Sequence, residues 1–397
     1  MSRMRDVPRD KFTLRAIGSP TGLRSPLGQG EASGVSSHTI GGSQNPLSRK
    51  PRLHSMSSEI CHAGPLISVA IPVYNGQEHL AQSLRSVLAQ THQNLEVIVV
   101  DDGSTDGTWE VMQSFGASIR AIRQRNGGLA AARNAGVNAA RGEFVALMDH
   151  DDLCEPERVA VQLQFLQQHP DLLLCSSDFS AFDANGPVSS SHIAAYYSRC
   201  SAAEGGVAAR YPERGSLEIS ACLGRPVEGP LKVATCFGSV YDEIALGNFV
   251  HPPTVMFRRS VMKDAGGFEP SAGTMCDWDW LVKVARVGSF GFIDRPLLRY
   301  RLSAAQMSAN KNAKINSVRV AQRICDRDPL LVQRQPDRFR RLLGELYADA
   351  AEAIAESRGI DASRFVAISV LRYRTLSRQN SRTLVKAVTP APLIRAL

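Results

Sequence analysis

The chain has 397 residues, enough for one large domain or two ordinary ones, with 43% apolar residues and a formal net charge of +8. The charge is uneven: residues 1–60 carry 9 Lys/Arg against 4 Asp/Glu and residues 311–397 carry 17 against 8, whereas 61–310 carry 20 against 26. An acidic middle between basic ends argues against a nucleic-acid binder, whose positive charge lies across its working face. No apolar run approaches the roughly 18–20 residues that span a bilayer, and the N-terminus lacks the apolar segment of a secretory signal. Eight cysteines without a Cys-x-x-Cys pair argue against a zinc site and a disulfide scaffold, and fit a reducing cytoplasm.

Residues 1–63 read as a disordered basic tail, rich in Ser, Gly, Pro and Arg and without sustained periodicity. Order begins at Leu66–Asn75, an apolar β-branched run ended by Asn-Gly, hence a buried strand entering a turn. Leu80, Leu84, Val87 and Leu88 set a helical period over Glu78–Gln90. Leu95–Val100 is the next strand, followed by the Asp101–Gly107 turn, a helix over 108–115 and a short strand near Ser118–Ile122. Gly127-Gly128 then opens an alanine-rich helix over Leu129–Ala140. The strand that follows, Glu143–Met148, ends in Asp149-His150-Asp151-Asp152. Alternating strands and helices predict an α/β fold with a mostly parallel sheet and helices on both faces. In such sheets the acids at strand carboxyl ends, Asp101-Asp102 and Asp149–Asp152, open onto one crevice.

Asp149 and Asp151 flank one residue, so both reach a single hard cation from a turn. Asp152 is expected to cap the helix predicted over Pro156–His169. A strand over Leu172–Asp178 follows. Residues 183–250 show no strong period beyond a helix at 215–223 and read as variable acceptor-side loops. Regular structure resumes with a strand at Thr254–Arg258 and a helix at Ser260–Ala265. A helix opening at Asp277 with Asp279 in its first turn comes next, then strands at Phe290–Ile293 and Leu297–Tyr300. Beyond residue 306 the pattern is basic and helical, over Lys311–Cys325, Arg338–Glu356 and Ala362–Arg378.

Taken together, six stretches resemble the family 2 glycosyltransferases, inverting enzymes of the GT-A fold. They are Ser68-Val-Ala-Ile-Pro-Val-Tyr-Asn75, Val100-Asp-Asp-Gly-Ser-Thr-Asp106, Asn126-Gly-Gly-Leu-Ala-Ala-Ala-Arg-Asn134, Met148-Asp-His-Asp-Asp152, His251-Pro-Pro-Thr-Val-Met-Phe-Arg-Arg259 and Asp277-Trp-Asp279. They stand in family order and spacing over residues 66–302, inside an expected glycosyltransferase domain of 64–305. The resemblance implies a nucleotide-sugar donor bound by Pro72, Val73, Tyr74, Glu78, Asp102, Arg133 and Asp149, with uracil as the base that Asp102 recognises. It implies Mg²⁺ or Mn²⁺ at Asp149 and Asp151, and a general base at Asp277 with Asp279 as the neighbouring candidate. Asp101 and Asp106 have turn and cap roles available, and for Asp106 that reading is preferred.

Two positions depart from the family pattern. Cys276 stands where Glu often precedes the base, and Ser303 stands where many members carry a metal-binding His. His251 and His150 are the candidates to replace that His. The implied acceptor is a glycan or lipid-linked glycan, in the synthesis of a surface polysaccharide of the LPS type. The basic C-terminal helices suggest peripheral contact with the inner face of the cell membrane. Alternatives are a polyprenyl-phosphate glycosyltransferase and a non-catalytic nucleotide-sugar-binding protein. A Rossmann dehydrogenase is disfavoured because no Gly-x-Gly-x-x-Gly follows the first strand.

Overall fold

A computed structural model describes residues 64–198, 205–303, 311–355, 359–374 and 383. The expected N-terminal tail lies outside these residues. At the centre is β1 (Ile67–Val73), buried along its whole length because Ile67, Val69, Ala70, Ile71 and Val73 meet apolar neighbours on both faces. It pairs in parallel with β2 (Leu95–Asp101) and β4 (Phe144–Leu147), and β2 pairs in parallel with β3 (Arg120–Arg123). The β4 ladder follows β1 only as far as Ala70, so Pro72 lies beyond it and interrupts none of its pairs. Helices α1 (Leu80–Leu88), α2 (Thr108–Ser114) and α3 (Leu129–Ala139) supply the crossovers.

Past β4 the chain forms the two-residue strand β5 (Leu153–Cys154), α4 (Arg158–Gln168) and the long strand β6 (Leu172–Asp183). Next come β7 (Gly186–Ser189), α5 (Ile193–Tyr196), β8 (Glu213–Glu218), β9 (Lys232–Gly238), α6 (Tyr241–Ile244), β10 (Met256–Arg258) and α7 (Val261–Asp264). The last parts are α8 (Cys276–Val287), β11 (Ser289–Arg301), α9 (Lys311–Arg327), α10 (Pro329–Arg334), α11 (Pro336–Ile354) and α12 (Gly359–Ala367). The sheet order is β3-β2-β1-β4-β10-β6-β11-β9-β8, with β10 antiparallel between β4 and β6, and β11 parallel to β6. The fold is α/β, as the alternation of strands and helices predicts, with a mixed sheet, helices on both sides and more helices after it. Among the described residues no helix is long and apolar enough to cross a membrane.

The structure corrects two element assignments. The helix expected at 215–223 is instead edge strand β8 with a 3-10 turn at Ser220–Leu223. Only Leu217 of β8 is buried, so the segment carries a charged, exposed edge and no apolar alternation to read. The two strands expected at 290–293 and 297–300 are one strand, β11, continuous through Pro296 because register shifts on either side accommodate the missing N–H. Val320, Ile324, Leu331, Phe339 and Leu343 of the C-terminal helices join the same apolar cluster as the sheet, while Ile354, Ala355 and Ala362 form a small cluster of their own.

Candidate functional site

The acids after β4 stand at the carboxyl end of the sheet, fixed from below by Met148 N–H donating to the Ala70 carbonyl (3.1 Å). The Asp149 side chain is partly exposed and receives Arg133 Nη2 on Oδ1 at 3.2 Å. Arg133 projects from α3 and is buried, with its guanidinium 5.7 Å from the centroid of the Phe268 ring and Nη1 4.0 Å from the Cys276 thiol. Burial works against its charge, but neighbouring groups led by Asp149 outweigh it and hold the guanidinium above its ordinary value. One buried cation thus faces both the loop after β4 and the first turn of α8.

Asp151 is raised above the usual carboxylate range by burial, against His150, with the Asp149 charge adding to the rise. Asp152 is raised well above that range by burial and then by Asp151 and Asp149. Asp152 does not cap α4, which begins at Arg158 without a side-chain cap. Its Oδ1 accepts the Arg301 N–H at 2.9 Å, and Arg301 Nε donates to the Asp151 carbonyl at 2.8 Å, so Asp152 fastens the acid loop to β11. The partner lies 149 residues downstream, which is why local sequence favoured a cap.

Among the described residues no group of three or more His, Cys, Asp or Glu side chains is arranged to hold a metal ion. Crowded like charges are nevertheless relieved by a cation, and partly exposed Asp149 beside Asp151 fits one shared with oxygens of a bound ligand. Ser303 is exposed. His251 is buried, stacked on Phe179 at 4.1 Å, with Nδ1 3.4 Å from the Tyr197 hydroxyl and no partner at Nε2; burial pushes it down to about 3. His150 packs near Gly76.

Just past the end of β2 Asp102 is buried, and its carboxylate accepts Gln124 Nε2 (2.7 Å), Gly127 N–H (2.9 Å) and Gly128 N–H (2.8 Å). It therefore holds the turn that opens α3, where Gly128 needs its φ of +84°. Asp101 accepts the Ser104 N–H and pairs with Arg123. Asp106 accepts the Thr108 and Gln77 N–H groups, the expected turn role. Pro72 and Val73 have buried side chains, and the Val73 carbonyl takes the Asp102 N–H at 2.8 Å. The Tyr74 ring is exposed beyond the end of β1, and Glu78 is a surface residue outside α1.

Helix α8 brings Asp277 to the Arg133 side. Asp277 keeps part of its surface open, while Oδ1 is sealed and unpartnered and Oδ2 lies 3.4 Å from Asn248 Nδ2. Burial raises its carboxyl above the usual range despite Arg133. Asp279, two residues along, is assigned elsewhere: it is fully buried among Arg323, Arg327 and Lys283, and is an ion-pair hub to the C-terminal helix α9. Cys276 is buried and pushed up to about 11 by burial, so the neutral thiol leaves Asp149 as the ion partner of Arg133. Asn248 was missed by sequence reasoning, since the segment around it carries no period or motif.

Residues 68–210 match the model of Glycosyl transferase family 2. An uncharacterised glycosyltransferase of Rickettsia typhi is 40% identical over 26% of this chain and 33% of its own length. Glycosyltransferase GlyG of Streptococcus pneumoniae is 38% identical over 26% of this chain and 36% of its own length. The chain thus spans less than half the length of these curated relatives. Among solved structures, S. aureus TarS in complex with UDP-GlcNAc is 16% identical, with TM-score 0.47 over 83% of this chain and 91% of that one. Mannosyltransferase PcManGT from Pyrobaculum calidifontis, in complex with GDP-Man and Mn²⁺, is 17% identical, with TM-score 0.47 over 83% and 88%. The motifs and the family match point the same way: over residues 68–210 this chain is similar to glycosyl transferase family 2.

Proposed function

We propose that the chain is an inverting glycosyltransferase that moves a sugar from a UDP-sugar to the hydroxyl of a glycan or lipid-linked glycan, in the cytoplasm, during surface-polysaccharide synthesis. The observation that carries this reading is Arg133, buried between Asp149 and the Cys276-Asp277 turn. It ties a donor-side acid to an acceptor-side acid across one crevice.

On this reading the exposed Tyr74 ring lies over the base, while the backbone of Pro72 and Val73 and the turn held by Asp102 shape the base and ribose pocket. Glu78, on the surface beyond Tyr74, completes the rim. Arg133 stays protonated and offers a permanent positive charge to the diphosphate. Asp149 and Asp151 would hold Mg²⁺ or Mn²⁺ together with diphosphate oxygens, and the ion when bound supplies Lewis-acid stabilisation of the leaving group. Asp277 accepts the proton of the acceptor hydroxyl as its oxygen attacks the anomeric carbon from the face opposite the departing diphosphate. The part-open surface of Asp277 and its raised carboxyl suit a base that must take a proton and shed it again. A single displacement inverts the anomeric centre, so an α-linked donor yields a β-linked product.

The test is nucleoside-diphosphate release from a panel of UDP-sugars with Mn²⁺, comparing wild type with Asp277→Asn. Release by wild type and its loss in the variant supports the reading; tight UDP binding without turnover of any donor replaces it with a binding protein. Adding a polyprenyl phosphate as acceptor checks the lipid-phosphate alternative.

A further inference from the structure

The C-terminal helices direct their charged groups at one part of the sheet domain. Asp279 on α8 receives Arg327 Nη1 at 2.8 Å and Arg323 Nη1 at 3.2 Å, both from α9, with Lys283 Nζ at 3.7 Å. Arg323 Nη2 also donates to Ser271 Oγ at 2.9 Å, and Asn316 Nδ2 donates to Thr274 Oγ1 at 3.3 Å. Ser271 and Thr274 belong to the 3-10 turn Pro270–Met275 that leads straight into Asp277. Gly273 in that turn has φ +59°, and a Cβ there would run into Asn316.

A second line of contacts reaches the other neighbour of Asp277. Tyr241 donates its hydroxyl to Asp328 at 2.9 Å, Arg334 pairs with Asp242 at 3.4 Å, and Arg338 pairs with Glu243 at 2.8 Å. All three acceptor or donor residues of the body lie on α6, which is pinned to α8 by Trp278 Nε1 donating to the Ile244 carbonyl at 2.7 Å. Four residues beyond α6 stands Asn248, whose amide meets Asp277 Oδ2. The helix that carries Asp277 and the segment that donates to it are therefore both fastened to the C-terminal helices.

Residues two apart on a helix point to roughly opposite sides. Asp279 accordingly faces α9 while Asp277 faces Arg133 and Asn248. A buried carboxylate with two guanidinium partners is a stiff anchor, because removing a partner leaves uncompensated charge in the interior. We infer that Asp279, with Arg323 and Arg327, is a positioning unit through which α9 sets the placement of Asp277 for proton removal. The inference rests on Asp277 being the general base. Misplacement of a catalytic group by about 1 Å costs on the order of 10²-fold in rate, so an anchor of this kind has leverage over turnover.

The test uses the full chain. Arg327→Gln leaves Arg323 and Lys283 as counter-charges, Arg327→Lys restores the lost charge, and Asp277→Asn reports on the base. Turnover and KM are measured with the panel UDP-sugar that wild type uses, UDP affinity with Mn²⁺ by calorimetry, and hydrogen exchange at residues 276–281 by mass spectrometry. Arg327→Gln is expected to lower kcat roughly tenfold or more with donor KM and UDP Kd within about twofold of wild type, and to speed exchange at 276–281. Arg327→Lys is expected to recover most of kcat. An unchanged kcat in Arg327→Gln while Asp277→Asn is inactive overturns the positioning role alone. A loss of kcat matched by an equal loss of UDP affinity also overturns it, as general damage. Full turnover by Asp277→Asn, or none by wild type, overturns the base reading and this inference with it.

Discussion

Asp277 shows how far a single side chain's environment separates function from stability. Its carboxyl is raised by burial, so the folded state favours the protonated form. A group raised in this way contributes stability below its unfolded value and loses that contribution as pH rises through the folded value. At neutral pH the charged form is therefore a burden. Asp277→Asn is expected to raise the thermal midpoint while lowering turnover by about 10²–10⁴-fold, read by calorimetry and by UDP release. The acid limb of kcat against pH is expected above the ordinary Asp value of about 3.9. Asp102 gives the opposite case. An amide cannot accept at all three contacts, so Asp102→Asn is expected to cost about 1–3 kcal/mol in urea unfolding and to weaken UDP binding. The placement of Asp149 and Asp151 at the end of a buried strand, and of Asp277 in the first turn of a helix, was legible in the sequence. The roles of Asp152 and Asp279 were not, because their partners Arg301, Arg323 and Arg327 lie 44 to 149 residues away in the chain.

Elements with both faces buried were the easiest to read. β1, β2 and β4 are near-continuous apolar runs, and α1 repeats its leucines on one side. Edge strand β8 offered one buried residue, and β11 hid its continuity behind Pro296, whose accommodation depends on register shifts with β6. The turn Pro270–Met275 was also invisible, since Gly273 reads as an ordinary loop glycine until Asn316 packs on it. Gly273→Ala is expected to destabilise by about 1–3 kcal/mol from the positive-φ backbone alone (φ +59°, ψ −132°), with the Asn316 clash added. Pairing it with Asn316→Ala should restore only the steric part, and urea unfolding of the two variants separates the contributions.

For the whole molecule, the uneven charge noticed in the sequence finds an internal use. Basic α9, α10 and α11 meet Asp279, Asp242 and Glu243 of the acidic body. The membrane expectation for these helices is checked by sedimentation with phosphatidylglycerol vesicles: pelleting at low salt that is lost at high salt supports it, and recovery in the supernatant at low salt removes it.

The Asp279 hub also orders events during synthesis. Chains fold as they emerge from the amino end, and the last strand, β11, ends at Arg301 before Arg323 and Arg327 are made. At about 5–20 residues per second the nascent sheet waits about 1–5 s with an interior carboxylate that has yet to meet its arginines. A growing chain thus holds Asp102, Asp149 and Asp277 before Asp279 meets its arginines, and the hub is completed with the helix that follows the sheet.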